Sequence, residues 1–230
     1  MLQVENLKKV YASKIAVNDV SFSVEKGEIF GLLGPNGAGK TTSIRMALNI
    51  ILPDSGKVLF DGQPFTEETK NRVGYLPEER GLYKKNRLGD TISYFGSLKN
   101  IKPSEIKKQA DFWLNKFELK GREKSKVEEL SKGNQQKVQF IVSVLHNPDL
   151  LILDEPFSGF DPINQDMLKE TLIELKNQGK TIIFSTHQME QVEKLCDNIC
   201  LIHEGNIILS GKLRDVKKNY GNNSIRIDYS

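Results

Sequence analysis

The chain has 230 residues, of which 38% are apolar and 27% charged, and its formal net charge at pH 7 is +3. This length suffices for one folded domain, with room for an inserted lobe. So small a net charge gives no argument for nucleic-acid binding. We find no run of 18 apolar residues that would span a bilayer. Residues 1–5 also lack the basic start of a signal peptide, and two cysteines without such a signal suit a reducing cytosol.

The first sixty residues predict an antiparallel β layer. Segments 2–10, 15–24 and 57–60 carry β-branched or alternating apolar residues. Turn-forming residues at 53–56 and 61–62 separate or end them. A further apolar run at 29–33 predicts a buried strand, and an amphipathic helix is expected over 44–51.

Between that strand and that helix lies a glycine-rich loop that fits the pattern G-x-x-x-x-G-K-[ST]. Glycines let successive backbone N–H groups point at an anion, and the following helix adds its positive dipole end. Lys40 is expected to reach the β- and γ-phosphates of a nucleoside triphosphate, and the Thr41 hydroxyl to hold Mg²⁺. The predicted phosphate-binding residues are Gly34, Pro35, Asn36, Gly37, Ala38, Gly39, Lys40, Thr41 and Thr42.

The middle of the chain, from about 88 to 147, predicts helices. Ile106, Ala110, Trp113, Leu114 and Phe117 repeat at helical spacing, and the segment 138–145 is apolar on most sides. A helical block thus interrupts an α/β pattern between the glycine-rich loop and the next core strand.

After residue 148 the α/β pattern returns. Segments 150–153 and 181–185 predict central parallel strands, and 199–203 and 207–210 predict two more strands. Asp161 and Pro162 begin a helix that carries Ile163, Met167, Leu172 and Leu175 and stops at Gly179. A further helix is expected to run to about residue 196. In the strand that follows, Cys200 is expected to be a small core residue rather than a metal ligand.

Two acidic residues, Asp154 and Glu155, come directly after the apolar run 150–153. Catalytic groups of open α/β sheets lie at the carboxyl ends of the strands. Asp154 is placed to support Mg²⁺, and Glu155 to polarise an attacking water. A pair of solvated acids at the start of a loop is the alternative, and the presence of a phosphate loop favours the catalytic interpretation.

The segment 130–134 resembles the signature segment of ATP-binding cassette (ABC) ATPases, whose usual form is L-S-G-G-Q. Leu130, Ser131 and Gly133 match this form, whereas Lys132 replaces the first glycine and Asn134 the glutamine. A serine hydroxyl, a glycine amide and a helix N-terminus can together hold a γ-phosphate. An ordinary helix cap is the alternative, because serine is a preferred N-cap residue.

The resemblance implies roles for further residues. Tyr11 lies where the family has an aromatic that stacks on adenine, and His187 matches the switch histidine that contacts the γ-phosphate. Ser158, Gly159 and Asp161 resemble the loop that crosses to a partner cassette, although a turn with a helix cap would look the same. For Tyr11 and His187 the alternatives are a surface tyrosine and a structural histidine.

Glu78 departs from the family pattern, because most cassettes have glutamine at this position. A carboxylate accepts hydrogen bonds but cannot donate them as an amide does. It would also add negative charge near the phosphates unless Mg²⁺ or Arg80 compensates. Glu78 is therefore either a third residue at the Mg²⁺ site, with Thr41 and Asp154, or a solvated loop acid.

The resemblance covers nearly the whole chain and implies an α/β phosphate-loop core with an antiparallel β subdomain and an inserted α-helical subdomain. It implies one ATPase domain over 1–222, with the helical part at about 82–147 and the start of a C-terminal extension at 223–230. The cofactors it implies are ATP and Mg²⁺. Each ATP would lie between the phosphate loop of one cassette and the segment 131–134 of another, which is either a second copy or a paralogue.

The segments 76–83 and 131–137 look most like the bacterial sodium-export type of ABC-2 exporter ATPases. This resemblance implies a subunit on the cytoplasmic face of the membrane that energises export through integral membrane permease subunits, without direct nucleic-acid contact. A sodium ion or a drug or peptide is the candidate substrate. The alternative function is a soluble ABC-type ATPase that acts on a nucleic-acid or ribosomal partner.

Overall fold

The computed structural model describes residues 1–12, 14–79 and 81–220. Two sheets and a set of helices make up this part of the chain. The strands are β1 (Leu2–Tyr11), β2 (Lys14–Val24), β3 (Ile29–Leu33), β4 (Ser55–Phe60), β5 (Gln63–Pro64), β6 (Val73–Leu76), β7 (Leu150–Asp154), β8 (Thr181–Thr186), β9 (Asn198–His203) and β10 (Asn206–Lys212). The helices are α1 (Lys40–Ala47), α2 (Glu67–Asn71), α3 (Leu88–Leu98), α4 (Pro103–Lys116), α5 (Lys132–Val144), α6 (Pro162–Asn177), α7 (Met189–Leu195) and α8 (Leu213–Tyr220), with a 3-10 helix at Val127–Glu129.

The smaller sheet is antiparallel and has the strand order β2-β1-β4-β5. Strand β1 lies at its centre, where Leu2 is paired with Val24 on one side and with Phe60 on the other. Alternate residues of β1 and β2 are buried, as the alternating sequence pattern indicates. The prediction of an antiparallel layer in the first sixty residues is confirmed.

The larger sheet has six strands in the order β10-β9-β3-β8-β7-β6. Five neighbouring strands, β9, β3, β8, β7 and β6, are parallel, and only the edge strand β10 runs antiparallel to its neighbour. Strands β3, β7 and β8 are buried along their whole length, which explains their continuous apolar sequences. Because parallel strands end at one edge, the residues after Leu33, Leu76, Asp154 and Thr186 meet there.

The helices α3, α4 and α5 lie in the chain between strands β6 and β7. Trp113, Phe117 and Phe140 form an aromatic cluster at their centre, with ring centroids 5.3 to 6.1 Å apart. The predicted helical pattern is confirmed, since Ile106, Trp113, Leu114 and Phe117 are all buried. The division into a separate subdomain at about 82–147 remains a prediction.

Some elements differ from the sequence predictions. Helix α1 ends at Ala47 rather than near residue 51, because Asn49 takes a left-handed conformation with φ of 53°. Strand β4 begins at Ser55, inside the predicted turn. Ile163 in the first turn of α6 is 78% exposed and does not share that helix's buried face. Cys200 is buried, as expected.

None of the helices in the described ranges has the length and apolar character needed to cross a membrane. Arg80 and the strand-like segment 224–229, together with the proposed extension at 223–230, lie outside the described residues.

Candidate active site

The glycine-rich loop follows β3 directly and leads into α1. Gly34, Gly37 and Gly39 have φ values of 150°, 79° and 108°, which side chains other than glycine rarely adopt. A Cβ on Gly34 would also lie 2.1 Å from the carbonyl oxygen of Ile202. Helix α1 starts at Lys40 without a side-chain cap, so its first N–H groups are free to bind an anion.

Lys40 is buried at the centre of this loop, with 6% of its side chain exposed. Its Nζ donates hydrogen bonds to the carbonyl oxygens of Gly34 at 2.7 Å and Pro35 at 3.2 Å. It also lies 3.4 Å from Oε1 of Glu155. The loop therefore holds an ammonium group in place, and the only carboxylate paired with it within the described chain is Glu155.

A cavity of about 440 Å³ opens above the loop, which is within the range of small-ligand sites. The structure brings several predicted site residues together in its wall: Tyr11, Asn36, Gly37, Ala38, Gly39, Lys40, Thr41, Thr42, Glu78 and Glu155. Lys14 and Ala16, from the start of β2, complete the wall and were not predicted. Gly34, Pro35 and His187 line a neighbouring depression that shares Asn36 with the cavity.

The two acidic residues lie at the carboxyl end of β7. Asp154 is fully buried, and its Oδ1 accepts a hydrogen bond from the Ser185 hydroxyl on the adjacent strand β8. The backbone N–H of Glu155 donates to the same hydroxyl oxygen at 2.9 Å. Glu155 has a φ of 49°, and its Oε1 lies 3.1 Å from Nδ1 of His187.

The residues at this end of β7 fit a magnesium ion. Oδ2 of Asp154 is buried and has no hydrogen-bond partner among the described residues. A buried carboxylate oxygen is costly unless a cation or a donor meets it. Mg²⁺ takes oxygen ligands and usually binds through one or two carboxylates together with substrate phosphates. The wall of the nearby cavity contains Thr41 and Glu78, whose hydroxyl and carboxylate oxygens are further candidate ligands for the metal.

The pKa of Tyr75, on β6, is affected by burial and by the charge of Asp154. Burial raises the pKa of its phenol, and the charge of Asp154 raises it further. The tyrosine therefore stays neutral at this strand end.

The loop that carries Glu78 follows β6. Gln139 of α5 donates from Nε2 to the carbonyl oxygens of Pro77 and Glu79, both at 3.1 Å. These two residues flank Glu78, so the helix α5 fixes the backbone on either side of that carboxylate.

The segment that resembles the family signature lies at the start of α5. Ser131 is its N-cap, and Oγ accepts a hydrogen bond from the Asn134 N–H at 3.2 Å. A Cβ on Gly133 would lie 3.7 Å from the Gly159 carbonyl oxygen, so this segment faces the loop 158–161 of the same chain. None of the residues 131–134 lines the cavity.

Asp161 caps α6. Its carboxylate accepts a hydrogen bond from the Asn164 N–H at 2.9 Å, and that bond lowers the pKa of Asp161. Asp161 is therefore a helix cap in the single chain, as one of the two interpretations of the sequence predicts. This role is compatible with a contact between the loop and a partner.

Sequence reasoning missed Ser185 and Gln139. Ser185 was only the last residue of a predicted strand, and Gln139 a polar position in an apolar helix. A signal was available in each case, because a polar side chain at a position predicted to be buried needs a hydrogen-bond partner. The identity of that partner could not be read from the sequence.

Comparison with known proteins gives consistent results. The family model described as "ABC transporter" matches residues 17–158. The chain is 46% identical over 227 residues to the uncharacterized ABC transporter ATP-binding protein YhaQ of Bacillus subtilis, covering 99% of this chain and 76% of the relative. It is 39% identical to the linearmycin resistance ATP-binding protein LnrL of the same organism, with 98% and 73% covered. It is also 39% identical to that organism's ABC transporter ATP-binding protein NatA, with 87% and 83% covered.

Two solved structures extend the comparison to the fold. One, an ATP-binding subunit of an ABC transporter, matches with a TM-score of 0.88 at 31% identity, covering 96% of this chain and 93% of the other. The other, cbiO1 from Clostridium perfringens, described as part of the ABC transporter complex cbiONQ, matches with a TM-score of 0.80 at 27% identity and 95% coverage of both chains. The predicted α/β phosphate-loop fold with an antiparallel subdomain is confirmed.

Proposed function

Because the chain belongs to the ABC transporter family, as an ATP-binding subunit with ATPase activity, we propose that it powers export through separate membrane subunits. The observation that carries the ATP-driven part of this proposal is one cavity in whose wall Tyr11, the phosphate loop, Glu78 and Glu155 meet. An aromatic side chain can stack on adenine, and backbone amides can bind phosphates. Of the two carboxylates, one can hold a metal and the other can act on a water molecule.

The proposed roles follow from position. The amides of residues 34–39 and the Lys40 ammonium bind the phosphates, and Tyr11 stacks on the base. Thr41 and Asp154, with Glu78, hold Mg²⁺, which when bound neutralises phosphate charge. Glu155 orients or deprotonates the attacking water, and the adjacent His187 contacts the γ-phosphate. Phosphoryl transfer depends mainly on positioning and charge stabilisation, so each role is geometric.

The segment Ser131, Lys132, Gly133 and Asn134 acts on the ATP of a second ATPase subunit. Support comes from its location, because Ser131 and Lys132 are exposed at a helix N-terminus and do not line the chain's own cavity. The loop with Ser158, Gly159 and Asp161 lies beside it and faces the same partner. In its simplest form the pair consists of two copies of this chain, and a paralogous subunit is the alternative.

The membrane subunits dock at a surface next to the C-terminal end of helix α1. A groove of about 300 Å³ there is lined by Leu48, Ile50, Phe65 and Tyr75 together with Lys70 and Lys99. Leu52, two residues after Ile50 in the chain, adds a further exposed apolar side chain, with 71% of its surface accessible. An exposed apolar groove with basic residues is suited to a partner segment. Bound to these subunits, the chain is proposed to lie on the cytoplasmic face of the membrane.

One relative's name describes resistance to linearmycin, a property that export of a drug would produce. A drug or peptide is therefore favoured as substrate, and a sodium ion remains the second candidate from the resemblance to sodium-export ATPases. The names of the three relatives describe transporter subunits or resistance. They favour a transporter over an ATPase that acts on nucleic acid or ribosomes.

The test compares two substitutions in the purified chain. Glu155→Gln should still bind ATP but lower turnover by about 10²–10⁴-fold, the usual contribution of a general base. Lys40→Ala should weaken ATP binding itself. Binding is measured with a fluorescent ATP analogue and turnover by phosphate release. Near-parental turnover of Glu155→Gln, or near-parental binding by Lys40→Ala, would contradict the role proposed for that residue in the ATPase site that powers export.

A further inference from the structure

The buried side chain of Gln139 lies between two segments with proposed roles at different ATP molecules. The Glu78 loop is proposed to act at the chain's own ATP, and the segment 131–134 at the ATP of the partner. Gln139 is 5% exposed, and its Nε2 uses both hydrogens, one on the Pro77 carbonyl and one on the Glu79 carbonyl. Within the described ranges no other hydrogen bond is made by the backbone of 77–79. The amide of Gln139 therefore sets the path of the loop that brings Glu78 into the cavity.

The same helix begins at the segment proposed to meet the partner's ATP. Ser131 is the N-cap of α5, and Gln139 lies eight residues further on, about 12 Å along the axis. The helix between them is regular, and the residues from Gln136 to Ile141 are all buried. A regular, packed helix moves as a unit, so a displacement at Ser131 reaches Gln139 and, through its amide, the Glu78 loop.

The chemistry at position 139 favours a positioning role over simple packing. Oε1 of Gln139 is buried without a hydrogen-bond partner among the described residues. An apolar side chain of the same length would fill this space without burying an unpaired oxygen. What an amide adds here is the pair of bonds to the loop.

We propose that Gln139 is a positioning residue that couples the Ser131 end of α5 to the Glu78 loop. Capping of the partner's ATP and placement of Glu78 beside the chain's own ATP then depend on each other. Such coupling is reciprocal: Mg-ATP in the chain's own cavity favours the α5 position that meets the partner. The inference rests on the proposed pairing of two ATPase subunits.

The test uses Gln139→Met, which keeps the length of the side chain and removes both donors. The background is Glu155→Gln, so that bound ATP persists, and dimer formation with Mg-ATP is followed by light scattering. Gln139→Met should need about tenfold more protein to dimerise, within the usual range of coupling between sites. Without Mg²⁺, binding of a fluorescent ATP analogue to the monomer should stay within about twofold of the parent, since the phosphate loop is untouched.

Gln191→Met is the matched control. Gln191 is also buried, at 2% exposed, and likewise donates from Nε2, to Gln165, while its Oε1 has no partner among the described residues. The Gln191→Met variant should lose about as much thermal stability as Gln139→Met, but it should dimerise like the parent. Equal dimerisation by Gln139→Met and the parent, or equal weakening in both variants, overturns the inference. A parent that stays monomeric with Mg-ATP contradicts the pairing of two copies of this chain, on which the inference rests, and the inference fails with it.

Discussion

At the residue scale, the Ser185 hydroxyl fixes the two acidic residues relative to each other. It donates to the Asp154 carboxylate and accepts from the Glu155 N–H. Because Glu155 has a positive φ, its backbone needs such a support to keep the carboxylate directed at Lys40 and His187. Ser185 thus links the proposed metal ligand to the proposed base.

We predict that Ser185→Ala lowers kcat for ATP hydrolysis by about 10–100-fold, the equivalent of one hydrogen bond to a charged group. It should also raise the Mg²⁺ concentration that gives half-maximal rate, whereas the KM for ATP changes little. Ser185→Thr keeps the hydroxyl and should recover part of the rate. The measurement is phosphate release at varied ATP and Mg²⁺.

Ser143→Ala is the control for burial alone, because among the described residues that buried hydroxyl bonds only to the Phe140 carbonyl of its own helix. If Ser185→Ala and Ser143→Ala had the same kcat and the same Mg²⁺ dependence, Ser185 would have no positioning role.

The sequence was sufficient for residues whose function depends on local geometry. Lys40 and the loop glycines lie within one short segment, so their spacing already specifies a loop that surrounds an anion. Ser185 and Gln139 act on residues 31 and 62 positions away in the chain. Which carbonyl or carboxylate they would meet depends on strand register and helix packing, and a single sequence does not contain that information.

At the scale of elements, the same distinction applies to the fold. The central strands β3, β7 and β8 were predictable because burial on both faces produces unbroken apolar runs. Strand β6 was missed because it contains Gly74, where a Cβ would lie 2.2 Å from the Ser143 carbonyl oxygen. The glycine permits close packing against α5 and at the same time weakens the strand signal. The five-residue helix α2 buries none of its side chains, so it lacks the apolar period that reveals a helix.

The junction of α5 with β6 should be sensitive to acid. His146 follows α5, and one of its ring nitrogens, Nε2, lies 3.1 Å from the carbonyl oxygen of Val73, the first residue of β6. Burial lowers the pKa of His146 to about 4, and the positive charges of Lys99 and Lys180 contribute. Since a histidine in the unfolded chain has a pKa near 6.5, the unfolded state binds more protons between these values.

We therefore predict that the free energy of unfolding falls by about 2–3 kcal/mol as the pH drops from 6.5 to 4, at about 1.4 kcal/mol per pKa unit. The contribution levels off about one pH unit above 6.5, where the unfolded state has lost this proton. His146→Gln removes the titration and should have a flatter stability profile, measured by urea unfolding at several pH values. Carboxylates with lowered pKa values, such as Asp161, act mainly below this window. Parallel profiles for parent and variant would contradict the prediction.

At the scale of the whole molecule, the proposed ATP site is divided between two surfaces. The cavity wall holds the phosphate loop with Glu78 and Glu155, whereas the segment 131–134 does not line the cavity and lies next to the loop 158–161. Neither surface alone surrounds a triphosphate. In the proposed pairing, each of two cassettes contributes one of these surfaces, and ATP would stabilise the closed pair until hydrolysis weakens the contact.

Cross-linking between two copies tests this arrangement most directly. One copy carries Asn36→Cys in the phosphate loop and the other Ser131→Cys, both in the Glu155→Gln background. The native thiols give little competing reaction, because Cys196 and Cys200 are largely buried and burial raises the pKa of both, that of Cys200 to about 12. A fluorescent ATP analogue first verifies that both variants bind ATP.

With a short thiol-reactive cross-linker, we predict a covalent mixed dimer that forms with Mg-ATP and is nearly absent without nucleotide. A mixed dimer that never forms although both variants bind ATP, or that forms equally without nucleotide, would contradict an ATP-dependent contact between Ser131 and the phosphate loop of its mate.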